Sequence, residues 1–346
     1  MVGLMLQLVW AGHPTFTEIA TGEDFTCGRS AAGEVWCWGN NEDQQLGVAR
    51  STPRSAAPLD TGLRGAVDVA ASGFAACAVL QSGRVMCWGQ AFETEWGRGS
   101  LPREMGNLRD ATQVALAPGR GCVRRRGGQV SCWDLSKPRL EQGPSPLPEL
   151  SSIDEVAVGR AHACGRTQGG EVWCWGDDKR GQLGQDRPGW PARPIRIPGL
   201  VDVQQISAGD DTSCAVRSDG TVACWGPNSQ GMLGLGHTAA VWGAQTLPNL
   251  SGIRRVSVSG SSVCALGSRG DVHCWGAEPC PRPEVPTRRT APTPSGVPSA
   301  LGLSEGAPSQ HRCAQTGSAW TCWGYNSHQQ AGPQDSRCVT EPRAIP

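Results

Sequence analysis

Hydrophobic and polar residues alternate with a period of two in short runs along most of the chain. Clear examples are the runs at 155–159 (EVAVG), 205–209 (QISAG) and 255–258 (RVSV), and proline-punctuated runs such as 193–197 (RPIRI) lie between them. Such alternation, bounded by glycine and proline, predicts short β-strands. The 346 residues include 47 glycines and 26 prolines, as expected for strands joined by tight turns. The pattern therefore predicts an all-β protein.

The same group of residues recurs seven times along the chain. Each unit contains a Cys-Trp dipeptide, and a first cysteine lies ten residues before the second in six units and nine residues before it in the last. The first six units also have glycine four residues, and valine two residues, before the second cysteine. The cysteine pairs are Cys27 and Cys37, Cys77 and Cys87, Cys122 and Cys132, Cys164 and Cys174, Cys214 and Cys224, Cys264 and Cys274, and Cys313 and Cys322.

Each unit holds four predicted strands. Strand A precedes the first cysteine, strand B runs through it, strand C runs through the second cysteine, and strand D follows the Cys-Trp dipeptide. Four strands in a repeat of about 40 to 50 residues are typical of a propeller blade. The sequence thus predicts a single seven-bladed β-propeller with four-stranded antiparallel blades over residues 17–346. The predicted repeats span about 17–64, 65–110, 111–151, 152–201, 202–251, 252–299 and 300–346.

The turn between strands B and C decides how the cysteines are interpreted. Sequences such as Gln81-Ser82-Gly83 predict a tight hairpin, because glycine tolerates the positive φ of such a turn. The two cysteines of a unit then face each other across adjacent strands, which predicts one intrablade disulfide per blade and an extracytoplasmic or secreted protein. The alternatives are reduced packing cysteines and zinc, but zinc needs four ligands that converge on one point. Cys280 and Cys338 are left over, and the spacing does not show whether they pair.

Residues 1–16 begin with an apolar run that allows two interpretations. The run lacks the basic start of a signal peptide and is too short to span a bilayer. It is either the remnant of a secretion signal or a strand that helps to close the ring. No other stretch is apolar enough for a membrane, so we expect no membrane span.

The motif string resembles the repeat of the regulator of chromosome condensation (RCC1) family, in the cysteine-rich form of bacterial exported members. The resemblance rests on units such as Gly159–Cys164, Gly170–Gly176 and Gly181–Gly184, and covers about residues 17–346. It implies a seven-bladed propeller. The founder of the family is a guanine-nucleotide exchange factor for a small GTPase with a wedge-like insertion, for which unit spacings of at most 50 residues leave little room here. A seven-bladed β-lactamase inhibitor protein, related by fold, implies instead an exported disc that binds proteins.

Charge and motif content exclude several classes of function. Lys plus Arg and Asp plus Glu are equal at 31 each, so no overall field would attract nucleic acid. The six histidines show no metal-ligand spacing, and the chain has no nucleophile elbow or phosphate-binding loop. We therefore expect a non-enzymatic, monomeric binding scaffold without cofactor, whose partner is an unidentified protein or surface polymer. An exchange factor, and an enzyme acting on glycans with carboxylates from separate blades, are the alternatives.

The strand order places the A–B and C–D loops on one face of the disc, which we call the loop face. Four acidic pairs are predicted there and would steer a basic partner, although each pair has the alternative role of a solvated loop charge. Three tryptophans outside the repeated position are either interface anchors or covers of a blade edge. The candidate binding residues are Glu23, Asp24, Glu42, Asp43, Asp177, Asp178, Asp210, Asp211, Trp96, Trp190 and Trp242.

Overall fold

A computed structural model of the chain describes residues 14–49, 51–90, 101–134, 143–187, 189, 193–278, 280, 287–306, 309–334 and 336–345. These residues form a seven-bladed β-propeller in which each blade is one antiparallel sheet of four strands. Every sheet is built from four consecutive strands of the chain. The predicted fold class is therefore confirmed, while residues 1–13, on which the two interpretations of the N-terminus rest, lie outside the described residues.

The strands of blades 1 to 4 follow the predicted order A, B, C and D. Blade 1 contains β1 (Phe16–Thr21), β2 (Phe25–Ser30), β3 (Val35–Asn40) and β4 (Arg54–Asp60). Blade 2 contains β5 (Ala66–Ser72), β6 (Ala75–Leu80), β7 (Val85–Gly89) and β8 (Arg103–Glu104). Blade 3 contains β9 (Ala111–Ala117), β10 (Arg120–Arg125), β11 (Val130–Asp134) and β12 (Ser145–Leu147). Blade 4 contains β13 (Ile153–Val158), β14 (His162–Thr167), β15 (Val172–Gly176) and β16 (Ile195–Arg196).

Blades 5 to 7 repeat this order. Blade 5 contains β17 (Val203–Gly209), β18 (Thr212–Arg217), β19 (Val222–Trp225) and β20 (Gln245–Thr246). Blade 6 contains β21 (Ile253–Val258), β22 (Ser262–Gly267), β23 (Val272–Ala277) and β24 (Arg288–Pro294). Blade 7 contains β25 (Ala300–Leu303), β26 (His311–Thr316), β27 (Ala319–Tyr325) and β28 (Cys338–Ala344).

All sixteen cysteines are paired in disulfides. The seven predicted pairs each join directly opposed residues of strands B and C, with Cα atoms 4.0 to 4.1 Å apart. An eighth disulfide joins Cys280, in the C–D loop of blade 6, to Cys338 at the start of β28 in blade 7, with Cα atoms 5.8 Å apart. The intrablade disulfides are therefore confirmed, and the two remaining cysteines form a disulfide between neighbouring blades.

The repeated glycine of the B–C turn has a second role that its sequence position did not reveal. Gly83 has a φ of 75°, as the turn requires, and its carbonyl oxygen accepts a hydrogen bond from the backbone N–H of Ala111 in the next blade. A Cβ atom at Gly83 would lie 2.2 Å from the carbonyl oxygen of Arg109. The same backbone bond links each of blades 1 to 6 to its successor. Glycine is therefore required by both the turn and the contact between blades.

The tryptophan after the second cysteine packs against the preceding blade. The Nε1–H of Trp225 donates a hydrogen bond of 3.1 Å to the carbonyl oxygen of Gln182, in the C–D loop of blade 4. Trp38, Trp88 and Trp275 make the equivalent bond, and all four rings are buried. These four tryptophans therefore pack between neighbouring blades.

Blades 7 and 1 close the ring through side chains and a short backbone bridge. The backbone N–H of Thr21 donates to the carbonyl oxygen of Glu305, and Trp320 Nε1–H donates to the carbonyl oxygen of Phe16 at 2.9 Å. His311 Nε2 lies 2.6 Å from the hydroxyl oxygen of Thr26. These contacts join blade 7 to blade 1 and complete the ring.

The A strands line the central channel and are joined by side chains that reach the backbone of the next blade. Gln205 Oε1 accepts from the N–H of Val256 and its Nε2–H donates to the carbonyl oxygen of Val256. Gln113 makes the same two bonds to Val156. Glu155 stands at this position in blade 4 and accepts from the N–H of Ile206 at 3.1 Å. Burial, followed by repulsion from Glu305, raises the pKa of Glu155 to about 7.

We expect Glu155→Gln to remove part of the pH dependence of folding stability. The pKa of Glu155 is higher in the folded chain than its ordinary value of 4.5, so its contribution to stability is complete below pH 4.5 and is lost as the pH rises through about 7. The free energy of unfolding of the wild type is expected to fall by on the order of 2 kcal/mol over this pH range because of Glu155. Glutamine retains the acceptor for Ile206 without the charge. Guanidinium unfolding at pH 5 and pH 8 measures the effect, and the half-exposed Glu171→Gln is the control. Equal pH dependence in wild type and Glu155→Gln would contradict the expectation.

Candidate binding face

The C–D loops of the loop face share one internal construction. In each of blades 1, 4, 5 and 7, the residue three positions after the repeated tryptophan accepts a hydrogen bond from a backbone N–H five residues further on, at 2.8 to 3.1 Å. These residues are Asn41, Asp178, Asn228 and Asn326. Asp178 is 1% exposed, and burial raises the pKa of its carboxyl group. Its carboxylate therefore stabilises the loop to which it belongs. Asparagine makes the same bond at the equivalent positions of three other blades.

Four candidate residues form what we call the blade 1 acidic patch: Glu23, Asp24, Glu42 and Asp43. Glu42 is exposed, and the other three side chains are half-buried. Asp24 Oδ1 lies 3.6 Å from His328 Nδ1, and Gln330 Nε2–H donates to the same oxygen at 3.4 Å. Among the described residues, no lysine or arginine forms an ion pair with any of the four carboxylates. The patch therefore presents unneutralised negative charge when His328 is neutral.

The carboxyl group of Glu23 is partly desolvated and is repelled by its acidic neighbours. Burial raises the pKa of Glu23, and repulsion from Asp24 and then from Asp210 raises it further. Burial also raises the pKa of Asp24, which the nearby His328 partly opposes.

The acidic residues of blade 5 differ because cations neutralise them. Arg160 Nη2 and Arg180 Nη1 lie 3.3 and 3.0 Å from Asp211 Oδ2, and Arg160 Nε lies 3.7 Å from Asp210 Oδ1. Asp177 is half-buried, and its Oδ1 accepts a hydrogen bond from the backbone N–H of Lys179. The structure thus divides the predicted acidic face into the charged blade 1 patch and this paired blade 5 cluster.

Of the three candidate tryptophans, only Trp242 lies within the described residues. Its side chain is 41% exposed, and its six-membered ring lies directly over Gly181 of blade 4. Trp96 and Trp190 lie outside the described residues. On the opposite face, Arg124 and Arg125 form ion pairs with Asp154 and Asp110 at 3.4 and 2.9 Å.

Two buried histidines hold neighbouring blades together. His162 Nε2 lies 2.6 Å from Ser213 Oγ of blade 5, as His311 does from Thr26. Burial lowers the pKa of His162 to about 4 and that of His311 to about 3. Both rings are therefore neutral at physiological pH.

Within the described ranges, no group of three or more histidine, cysteine or acidic side chains is arranged as a metal site would require. The part of the chain that the structure describes also contains no helix long and apolar enough to cross a bilayer.

Comparison with known families identifies the repeat. Models of the regulator of chromosome condensation (RCC1) repeat match residues 16–45, 66–91, 153–182 and 203–231, and a second such model matches residues 169–216. The mitochondrial RCC1 domain-containing protein RUG3 of Arabidopsis thaliana is 27% identical over 146 residues. That match covers 39% of this chain and 32% of the relative.

Solved structures share the fold at low sequence identity. Yeast RCC1 (Prp20), solved bound to Kap60, has a TM-score of 0.77 at 19% identity, over 96% of this chain and 85% of that one. Human WBSCR16 has a TM-score of 0.56 at 18% identity, over 96% and 82% of the two chains. The ectodomain of the Arabidopsis thaliana receptor kinase ACR4 has a TM-score of 0.55 at 17% identity, over 96% and 98%. At these identities the likeness concerns the fold alone.

Proposed function

Because the chain belongs to the RCC1-like repeat family, we propose that the protein is a non-enzymatic scaffold that binds a basic protein through the blade 1 acidic patch. The observation that carries the proposal is the absence of a lysine or arginine partner for Glu23, Asp24, Glu42 and Asp43 among the described residues. Complementary potentials accelerate association and disfavour wrong partners. A rigid disc that displays unneutralised carboxylates at one loop cluster suits this role.

The proposed setting is outside the bacterial cytoplasm. Eight disulfides in 346 residues favour an oxidising compartment, since thiols stay reduced in the cytosol. A solved relative provides a precedent for binding: yeast Prp20p was crystallised in a study of its binding to Gsp1p and histones. That behaviour belongs to the relative, and we take from it only that the scaffold suits protein partners.

Reversing the charge of the exposed Glu42 and the half-buried Asp43 tests the proposal. We expect Glu42→Lys with Asp43→Lys to weaken partner binding about tenfold, because surface charge pairs contribute up to about 1 kcal/mol each. Proteins retained by the immobilised wild-type chain from an extracellular fraction would identify the partner, and biolayer interferometry at two salt concentrations would measure its affinity. Higher salt is expected to weaken wild-type binding more than binding by the variant.

A matched control separates a local contact from a change in total charge. Glu149→Lys with Glu341→Lys changes the net charge equally at two exposed positions, one in a D–A link of the opposite face and one on the outer strand β28. This control is expected to bind like the wild type. The blade 1 acidic patch would be ruled out as the binding site if both double variants weakened partner binding equally, or if neither weakened it.

A further inference from the structure

A cleft between blades 6 and 7 is the starting point for a second site, independent of the blade 1 acidic patch. It encloses about 520 Å³ including its open mouth, and its walls include Ser262, Glu278, Arg289, Ser295, Arg312 and Trp323. The Cys280–Cys338 disulfide joins the chain two residues after Glu278 to the chain two residues before Thr340, another wall residue. The two walls are therefore covalently fixed to each other.

The guanidinium of Arg312 is buried in this cleft, and no carboxylate of the described residues lies within ion-pair distance of it, although Glu278 attracts it from further away. Arg312 is 6% exposed, and burial lowers its pKa to about 10. Its Nη2 donates to Ser259 Oγ at 2.6 Å, to Ser262 Oγ at 2.7 Å and to the carbonyl oxygen of Ser262. Nη1 makes one long contact of 3.5 Å, to the carbonyl oxygen of Ser257. Within the described ranges Nε–H has no acceptor and no carboxylate forms an ion pair with Arg312, although a buried arginine is usually paired.

Among the described residues, the other two charged side chains of the cleft form an ion pair with each other, so the cleft keeps one excess positive charge. Glu278 Oε2 lies 3.2 Å from Arg289 Nη2, so this carboxylate already has a partner. The hydroxyl groups of Ser262 and Ser295 add neutral donors to the walls. The cleft therefore combines one uncompensated guanidinium with spare N–H and O–H donors.

The repeat does not require an arginine at this position. The residue directly before the first cysteine is uncharged in every other blade: Thr26, Ala76, Gly121, Ala163, Ser213 and Val263. A charged side chain at this position is therefore specific to the contact between blades 6 and 7, where Arg312 donates to Ser259 and Ser262.

We propose that this cleft binds a small oxyanion of phosphate or sulfate size, with Arg312 as the principal contact and the Ser262 hydroxyl as a second donor. Guanidinium groups bind such oxyanions through several directed N–H bonds, and a buried site strengthens each of them. The ligand is either a free anion or the same group carried on a larger molecule. Separate titrations with phosphate and with sulfate show which of these two oxyanions the cleft prefers.

The test measures binding of inorganic phosphate and sulfate to the full disulfide-bonded chain. Isothermal titration is expected to give one saturable site with a Kd of about 1 mM. The melting temperature should rise with the logarithm of anion concentration, relative to chloride at equal ionic strength. Tighter binding of phosphate would indicate a phosphorylated ligand, and tighter binding of sulfate a sulfated one.

Substitutions test which residues form the anion site. Arg312→Gln is expected to lose at least tenfold in affinity, while Arg288→Gln, at the exposed position next to the wall residue Arg289, is expected to bind like the wild type. Ser262→Ala keeps the guanidinium and is expected to lose several-fold, so the proposal stays testable if Arg312→Gln fails to fold. The proposal is overturned if the wild type binds neither anion saturably, or if Arg312→Gln, or Ser262→Ala in its place, binds like the wild type.

Discussion

Replacing Cys280 and Cys338 by serine is expected to lower the free energy of unfolding by about 4 kcal/mol. The disulfide spans 58 residues, and the chain-entropy model assigns about 4 kcal/mol to a loop of that length but about 3 kcal/mol to a loop of ten. It also joins two blades between which the described residues show no Trp–carbonyl bond of the kind that Trp225 makes, and Trp323 there is half-buried and lines the cleft. Guanidinium unfolding at pH 7 measures the loss.

The matched control removes an intrablade disulfide of the same region. Cys264→Ser with Cys274→Ser opens a loop of ten residues whose strands remain paired by backbone hydrogen bonds. Hydrogen exchange should then differ between the two variants. Loss of the Cys280–Cys338 bond is expected to expose amides at the contact between blades 6 and 7. Unchanged exchange there, together with a smaller loss of stability than in the control, would contradict the assigned role.

Replacing Trp225 by alanine is expected to destabilise the protein by about 4 kcal/mol, in the range found for large aromatic side chains in cores. The ring is fully buried in the contact between blades 4 and 5, beside Leu183 and Ile197. Trp225→Phe keeps most of the packing but removes the hydrogen bond to Gln182, so about 1 to 2 kcal/mol is expected. Thermal and guanidinium unfolding measure both variants.

Trp242 supplies the control in the same blade. It is 41% exposed, so Trp242→Ala should destabilise the protein clearly less than Trp225→Ala. If Trp225→Ala were no more harmful than Trp242→Ala, the repeated tryptophan would not be a contact between blades. A loss with Trp225→Ala but not with Trp225→Phe would assign the stabilisation to packing alone.

Most of the fold could be predicted from the sequence because its determinants are local and repeated. The spacing of ten residues between cysteines places Cys214 opposite Cys224 once glycine forms the turn at Gly220. The contact of that glycine with the next blade could not be predicted, since it depends on how two sheets meet. The pairing of Cys280 with Cys338 was equally inaccessible, because it is unique to one pair of blades.

The candidate site was harder to predict than the fold. Strand order alone placed the loop charges in the A–B and C–D loops, where the structure has them, but their charge partners come from other blades. Asp211 is neutralised by Arg160 and Arg180, which lie 51 and 31 residues away in the sequence. Asp178 could have been recognised, since the equivalent positions hold asparagine. Arg312 could also have been noticed as the one charged residue before a first cysteine.

The difference in span between the disulfides has a consequence for biogenesis. Seven of them close loops of nine or ten residues, so each can oxidise once its own hairpin has formed. Their native pairing requires no distant part of the chain and little help from an isomerase. The Cys280–Cys338 bond requires blades 6 and 7 to have met already. Its formation therefore follows the folding and contact of blades 6 and 7. A mass-resolved oxidation time course is expected to show this disulfide forming last.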